Sequence, residues 1–254
     1  MATLRQVGRI QVVESEPATQ EDLLDVRFSG ALMGGAIADA LGWPSEFART
    51  PADLERVNLR YPIQDFVPWP KRVGGRFFAR TGYIQPGDYS DDTQLTLSVA
   101  RSVNADGTVD NKYFAKQELR YWLAYARGAG ATITAAAKAA NRSTVDWRWN
   151  FFRFKRGRHD DLDYRGAGAN GAAMRVAPIA LANLYDPHRT LIETWKNSII
   201  THGHARAIIY AEALRKVINN AINHSHEPAT EFVDHLCRFV NTVEVPKEDS
   251  DIFF

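Results

Sequence analysis

Apolar residues recur at helical spacing through most of this 254-residue chain, and this periodicity restricts its fold more than any other feature. Within a predicted helix over residues 21–41, Leu24, Phe28, Leu32 and Ala36 follow one another at intervals of four. Similar patterns predict helices over residues 91–103, 111–127, 131–141, 187–200, 205–223 and 228–240, and a helix that follows the Gly-rich stretch 165–171 and runs to residue 185. The sequence therefore predicts an all-α fold with a single compact core.

A long segment rich in proline and glycine interrupts the helices between residues 50 and 89. We expect an irregular loop there, with one helical turn near residues 51–57. Loops of this length are uncommon in compact domains and are usually functional. Because no repeat and no clean linker is visible, we assign residues 21–254 to one helical domain and residues 1–20 to a polar N-terminal tail.

Charge and hydropathy disfavour several classes of partner. The formal net charge of +1 gives no general electrostatic case for binding nucleic acid or a membrane. No apolar run approaches the roughly 18 residues that span a bilayer, and the N-terminus lacks the order of a signal peptide.

The lone Cys237 excludes an intramolecular disulfide, and its apolar helical surroundings predict a core position. We therefore expect a cytoplasmic protein.

One stretch, residues 147–158, interleaves aromatic and basic side chains as single-strand nucleic-acid binders do. Acidic residues follow directly, at Asp160, Asp161 and Asp163, and would weaken the positive electrostatic potential of this stretch. The sequence therefore disfavours nucleic acid as a partner, and an aromatic lid or a surface for a partner protein is equally compatible with the stretch.

Small residues form a stripe along the first helix. Gly30, Gly34, Ala38 and Gly42 lie four residues apart, and glycine inside a helix costs up to about 1 kcal/mol relative to alanine. Close approach of another helix is the usual reason for such a stripe. The Gly-Trp-Pro sequence then ends the helix, and Glu46 follows on the emerging loop, where it is either a catalytic carboxylate or a solvated glutamate.

A second block places a hydroxyl and two carboxylates in succession, at Ser90, Asp91 and Asp92, where a helix is predicted to begin. One of them would suffice as a helix N-cap. Three adjacent oxygen side chains, two of them acidic, favour a hard cation in addition. Mg²⁺ or Mn²⁺ fits better than Zn²⁺, because no histidine or cysteine lies nearby in the sequence.

Two later segments offer polar groups that a substrate could use. The Gly-rich segment before Asn170 presents backbone N–H groups that suit a phosphate, although it lacks the lysine and hydroxyl of a P-loop. Arg175 pairs either with a substrate or with an acid of the fold. His202 and His204 lie between two predicted helices, where a helix cap, a substrate contact and a metal ligand are all open.

Taken together, these blocks resemble the ADP-ribosylglycohydrolase family, which includes the dinitrogenase reductase-activating glycohydrolases. Residues 30–46 are similar to its opening Gly-x-x-x-Gly-x-x-x-Gly-Asp-Ala-Leu-Gly-x-Pro-x-Glu pattern, with Ala38 in place of the third glycine. Ser90 to Thr93 resembles its Thr-Asp-Asp-Thr metal motif. Residues 166–178 resemble its Gly-rich Asn-Gly-Ala-x-Met-Arg-x-x-Pro segment, and Thr201-His202 its Thr-His element.

The resemblance implies an all-α fold, a binuclear Mg²⁺ or Mn²⁺ centre, and hydrolysis of the glycosidic bond between ADP-ribose and a protein side chain or small acceptor. It implies Ser90, Asp91 and Asp92 as metal ligands, with Asp92 and Glu46 as the catalytic pair. It also places Gly166, Ala167, Gly168 and Asn170 along the pyrophosphate and distal ribose of the substrate, with His202 nearby.

The family's late Gly-Gly-Asp-x-Asp-Thr block is missing from this sequence, and the late acids Asp249 and Asp251 are the candidates to replace it. We therefore expect an incomplete centre with one ion or none. Two functions remain open: a metal-dependent ADP-ribosyl hydrolase, or a catalytically weak relative that binds ADP-ribose or a partner. An apolar face left uncovered would favour a homodimer.

Overall fold

The computed structural model describes residues 20–60, 62–73, 80–142, 147–148, 154–156, 160–162, 168–223, 228, 230–231, 234 and 237–238. Its elements are mostly helical, which confirms the predicted fold class. No helix in the described part of the chain is long and apolar enough to cross a membrane. The helices are α1 (Gln20–Gly42), α2 (Pro51–Arg56), α3 (Asp91–Ala100), α4 (Asn111–Tyr113), α5 (Leu119–Tyr125), α6 (Ala131–Ala140), α7 (Ala177–Ala182), α8 (Pro187–Ile199) and α9 (Ala205–Asn223).

Short turns join several of these helices. A 3₁₀ turn over Trp43–Ser45 extends α1, and another over Ala173–Arg175 precedes α7. A π-helical turn over Phe114–Glu118 links α4 to α5. The sequence periodicity could not resolve these turns, because each is only three to five residues long and is too short to show a period of its own.

The predicted irregular loop between residues 50 and 89 contains more regular structure than expected. The helical turn near residue 51 is present as α2, where the Thr50 hydroxyl accepts a hydrogen bond from the Asp53 N–H. Strands β1 (Trp69–Val73) and β2 (Arg80–Ile84) then form an antiparallel hairpin, with Trp69 opposite Ile84. A second hairpin joins β3 (Phe154–Arg156) to β4 (Asp160–Leu162).

The main core forms where α3 packs among α5, α6 and α7. Leu95 and Val99 of α3 are fully buried, as are Leu119 and Trp122 of α5. Burying a side chain of this size contributes roughly 1.5–3 kcal/mol, so α3 is held firmly. Its first residues, which carry the acidic block, are therefore presented from a rigid element. Further members of this core are Phe114, Ile133, Ala137, Ile179 and Ile200.

The glycine stripe on α1 does not support the packing interpretation. A Cβ atom added at Gly30, Gly34 or Gly42 would meet no atom within 4 Å. The helix packs instead through Leu24 and Phe28, which lie against a cluster that includes residues of α7 and α9. All four residues of the stripe are exposed in the described part of the protein, so no other helix packs closely against it there.

Two further sequence predictions are wrong. A single helix from the Gly-rich stretch to residue 185 is replaced by a 3₁₀ turn and the short α7. Pro178 lies in the first turn of α7, where its missing N–H is tolerated, and it could not continue a preceding helix. Cys237 is exposed rather than buried, as are the other described residues around it, Glu231, Asp234 and Arg238.

A candidate active site at the start of helix α3

An open cavity of about 450 Å³ lies at the start of α3. Four parts of the chain contribute to it: the end of α1, the first residues of α3, the loop that enters α6, and the segment that precedes α7. His202, after α8, completes the wall. The predicted site residues that line this cavity are Glu46, Ser90, Asp91, Asp92, Asn170 and His202.

Ser90 is the N-cap of α3. Its backbone is extended, and its hydroxyl accepts a hydrogen bond from the Asp92 N–H at 3.2 Å. The hydroxyl also contacts an Asp92 carboxylate oxygen at 3.2 Å. The capping interpretation is therefore confirmed, and it leaves both carboxylates in the first helical turn, where the helix dipole favours negative charge.

Asp39 of α1 fixes the same helix end from outside. One of its carboxylate oxygens accepts hydrogen bonds from the Ser90 N–H at 3.0 Å, the Thr93 N–H at 3.1 Å and the Thr93 hydroxyl at 2.6 Å. Charge-assisted bonds of this kind are about twice as strong as neutral ones. Asp39 therefore joins the two sequence blocks in space, although the sequence analysis did not select it.

Burial and mutual repulsion shift the acids of the cavity in one direction. Desolvation, followed by the charge of Asp92, raises the pKa of Asp91 to about 7. The pKa of Asp92 is also raised, mainly by desolvation and then by Asp39. Desolvation and Asp92 raise the pKa of Glu46 as well. A cation that enters the cavity would stabilise the ionised form of these carboxyl groups.

Trp43 and Gly128 form the wall beside Asp91. Gly128 has a positive φ of 76°, and a Cβ atom there would lie 2.9 Å from Trp43 Nε1 and 3.1 Å from Asp91 Oδ1. Glycine is therefore required both by the backbone and by the space. The Trp43 indole N–H is buried without a hydrogen-bond partner in the described part of the structure.

A buried cation lies behind the opposite wall. The Arg175 guanidinium donates to Asn197 Oδ1 at 2.9 Å and to the Gly171 carbonyl at 2.6 Å, and burial lowers its pKa to about 9. Among the residues that the structure describes, it therefore bonds to an amide and to backbone carbonyls and not to an acid. A Cβ atom at Gly171 would lie 2.5 Å from the His202 ring, so this glycine admits the imidazole.

His202 is buried and neutral. Desolvation, and then the charge of Arg175, lower its pKa to about 3. Its Nδ1 atom is 2.8 Å from the Thr201 hydroxyl. The neighbouring His204 has a different role, because its Nδ1 accepts a hydrogen bond from the Arg206 N–H at the start of α9. Of the two histidines, only His202 lines the cavity.

The remaining predicted site residues divide into two groups. Gly168 does not line the cavity and lies against the His204 ring. Gly166, Ala167, Asp249 and Asp251 lie outside the described residues, so their predicted roles stay predictions. Sequence reasoning missed Asp39, Trp43 and Gly128; the first two lie within the block of residues 30–46, but nothing local marked the function of any of the three.

The oxygen side chains at the start of α3 suit a hard cation, but among the described residues they do not form a complete metal site. Ser90, Asp91 and Asp92 supply oxygen atoms, which Mg²⁺ and Mn²⁺ prefer. Among the described residues, no three His, Cys, Asp or Glu side chains are grouped closely enough to hold a metal ion. The metal assignment therefore stays a prediction.

Comparison with known proteins identifies the family. The sequence profile of the ADP-ribosylglycohydrolase family matches residues 19–251, so the chain belongs to that family. It is 27% identical over 212 residues to the ADP-ribosylarginine hydrolase Tri1 of Pseudomonas putida (strain GB-1), covering 84% of this chain and 51% of the relative. It is 29% identical over 199 residues to the ADP-ribosyl-[dinitrogen reductase] glycohydrolase of Rhodospirillum rubrum, covering 77% of this chain and 58% of that relative.

The chain thus spans little more than half the length of these curated relatives. A third relative, an uncharacterized protein of Archaeoglobus fulgidus, is 28% identical over 215 residues, and 61% of its length is covered.

Proposed function

We propose that this protein hydrolyses the glycosidic bond between ADP-ribose and a protein side chain or small acceptor, in a metal-dependent reaction. The observation that carries the proposal is the cavity at the start of α3, which gathers Glu46, Ser90, Asp91, Asp92, Asn170 and His202 from distant parts of the chain. Arginine is the first acceptor to test, because one relative is named an ADP-ribosylarginine hydrolase.

Ser90, Asp91 and Asp92 are the residues that would hold Mg²⁺ or Mn²⁺. A bound ion of this kind lowers the pKa of its water and polarises substrate oxygens. Positive charge develops on the ribose as a glycosidic bond breaks, and carboxylates close to it stabilise that charge. Glu46 is the carboxylate we assign to this role, because it lines the cavity on the loop that leaves α1.

Glu46 is also suited to proton transfer. Desolvation and Asp92 raise its pKa, which moves it towards the range where a carboxyl group both releases and accepts protons near neutral pH. His202 is neutral and faces the same cavity, so it can form a hydrogen bond with a ribose hydroxyl without adding charge. Asn170 offers an amide on the same wall.

The second candidate function is binding of ADP-ribose without turnover. It is favoured by one observation, the lack of a group of three or more metal-ligating side chains among the described residues. A single ion held by two carboxylates and a hydroxyl would be bound weakly, because few negative charges compensate for the loss of its hydration water.

Turnover of ADP-ribosyl-arginine in Mg²⁺ or Mn²⁺ separates the two functions. We expect the wild type to release arginine, Asp92→Ala to lose this activity, and Glu46→Gln to slow it at equal metal occupancy. Asp25→Ala, an exposed change on α1, is the matched control and should retain full activity. Binding of ADP-ribose without release of arginine by the wild type would instead establish the binding protein, and equal rates for all variants would refute the residue assignment.

A further inference from the structure

The β1–β2 hairpin brings a lysine to the acidic cavity. Lys71, on β1, places its ammonium 4.1 Å from the centre of the Trp43 ring and 5.3 Å from that of Trp69. The two indoles are themselves packed edge to face, with centres 5.3 Å apart, and both are buried. A cation over a buried indole is attracted to the ring face, which fixes the position of the lysine.

Trp43 connects this ammonium to the carboxylates. The indole N–H edge and Asp91 Oδ1 both border the Cβ position of Gly128, at 2.9 and 3.1 Å respectively. Lys71 and Asp91 therefore lie beside the same indole ring. Its charge couples to Glu46 and Asp91, and half-burial lowers its pKa.

Lys71 forms no direct ion pair with a described residue. No described carboxylate lies within ion-pair distance of Lys71, whereas the described ion pairs all involve other lysines and arginines. Glu46 also forms no ion pair with a described residue. The positive charge of Lys71, held in place by the two indole rings, therefore acts on Glu46 and Asp91 without a direct ion pair.

We propose that Lys71 is a resident counter-cation of the cavity, which stabilises Glu46 and Asp91 electrostatically and opposes a divalent ion that enters beside them. This inference rests on the metal site in the proposed function. The same positive charge that offsets the acids in the metal-free protein repels an incoming ion. Two charges of one sign separated by about 8–10 Å, partly screened by water, change an equilibrium about three- to tenfold.

Mn²⁺ binding to the full chain, measured by calorimetry, tests the proposal directly. We expect Lys71→Gln to lower the Kd for Mn²⁺ about three- to tenfold, and Lys71→Glu to lower it further. Lys71→Arg keeps the charge and should match the wild type. Arg80→Gln removes a positive charge from an exposed position on the same hairpin and should leave the Kd within about twofold.

Several results would overturn the proposal. A Kd for Lys71→Gln within twofold of the wild type would show that the ammonium does not act on the ion. If Arg80→Gln lowers the Kd for Mn²⁺ as much as Lys71→Gln does, the effect comes from overall charge and not from Lys71. If no variant binds Mn²⁺, Lys71 does not compete with an ion, and the proposal is wrong. If Lys71→Gln weakens ADP-ribose binding with no change in Mn²⁺ affinity, Lys71 binds the substrate instead. Because this experiment measures Mn²⁺ binding and not turnover, its failure can be distinguished from failure of the proposed hydrolysis.

Discussion

At the scale of single residues, Gly128 determines how closely Trp43 and Asp91 approach each other in the wall of the cavity. Its φ of 76° is strained for any other residue, and a Cβ atom would strike the edge of Trp43 and the Asp91 carboxylate. Gly128→Ala should lower the free energy of unfolding by about 2–4 kcal/mol and displace one of these side chains. Urea unfolding checks the value.

Gly130, two residues away, provides the control for that change. It has a φ of −66°, and a Cβ atom there would meet nothing within 4 Å. Gly130→Ala should therefore change the free energy of unfolding by less than about 1 kcal/mol. Equal losses for the two variants would contradict the assigned contacts of Gly128.

His202 should make stability depend on pH. Its pKa is about 3 in the folded protein and 6.5 ordinarily, so the unfolded chain binds a proton that the folded chain excludes between these values. The stability from this residue is complete above about pH 6.5 and is lost as the pH falls towards 3. In metal-free buffer, lowering the pH from about 7.5 to about 4.5 should cost the wild type about 2–3 kcal/mol more than it costs His202→Gln.

The comparison with the variant is needed because Asp91 acts in the opposite direction. Its raised pKa gives stability at low pH that is lost as the pH rises from 3.8 to about 7. This contribution is present in both proteins and cancels in the difference between them. A pH dependence that is the same in wild type and His202→Gln, measured by urea unfolding, would show that the imidazole is not held neutral.

At the scale of secondary-structure elements, the start of α3 depends on α1. Asp39 accepts three hydrogen bonds from Ser90 and Thr93, so Asp39→Ala leaves two backbone N–H groups without this acceptor. We expect a loss of about 1–2 kcal/mol in the free energy of unfolding and weaker Mn²⁺ binding, because the acidic turn is no longer held.

Asp25→Ala is the matched control for this effect, since it removes an exposed aspartate from the same helix. It should change the free energy of unfolding by less than about 0.5 kcal/mol and leave Mn²⁺ binding intact. If Asp39→Ala behaves like Asp25→Ala, the external cap does not position the acidic turn.

At the scale of the whole molecule, an apolar groove between α1 and α3 is uncovered in the described structure. It has a volume of about 520 Å³, and Met33, Ile37 and Leu97 in it are 63%, 44% and 42% exposed. Exposed apolar patches of this kind favour association. We therefore predict a dimer by light scattering, shifted towards monomer by Ile37→Glu.

Leu191→Glu on α8 is the control, because Leu191 is 46% exposed but lies outside the groove. It should leave the association unchanged. A wild type that remains monomeric at all concentrations tested would refute the predicted dimer, and equal disruption by both variants would assign the contact to another surface.

The helices could be predicted from the sequence because their signals are local. Apolar spacing alone gave α9 its observed limits of residues 205 and 223. Ser90 was recognisable as a cap because the hydroxyl and the amide it serves are two residues apart. The acidic block, the glutamate after α1 and the Thr-His element were also identifiable, since each is a short run of chemically distinct residues.

The tertiary structure decided which of these groups meet. Asp39 and Ser90 are 51 residues apart in the sequence, and only the packing of α1 against α3 brings them into contact. The same holds for Lys71, which reaches Trp43 because the β1–β2 hairpin folds back on the end of α1. The glycine stripe is the converse case: its spacing predicted close packing of another helix, but its residues are exposed among the residues that the structure describes. Local patterns specify helices and caps, whereas side-chain contacts over long sequence separation depend on how the finished helices pack.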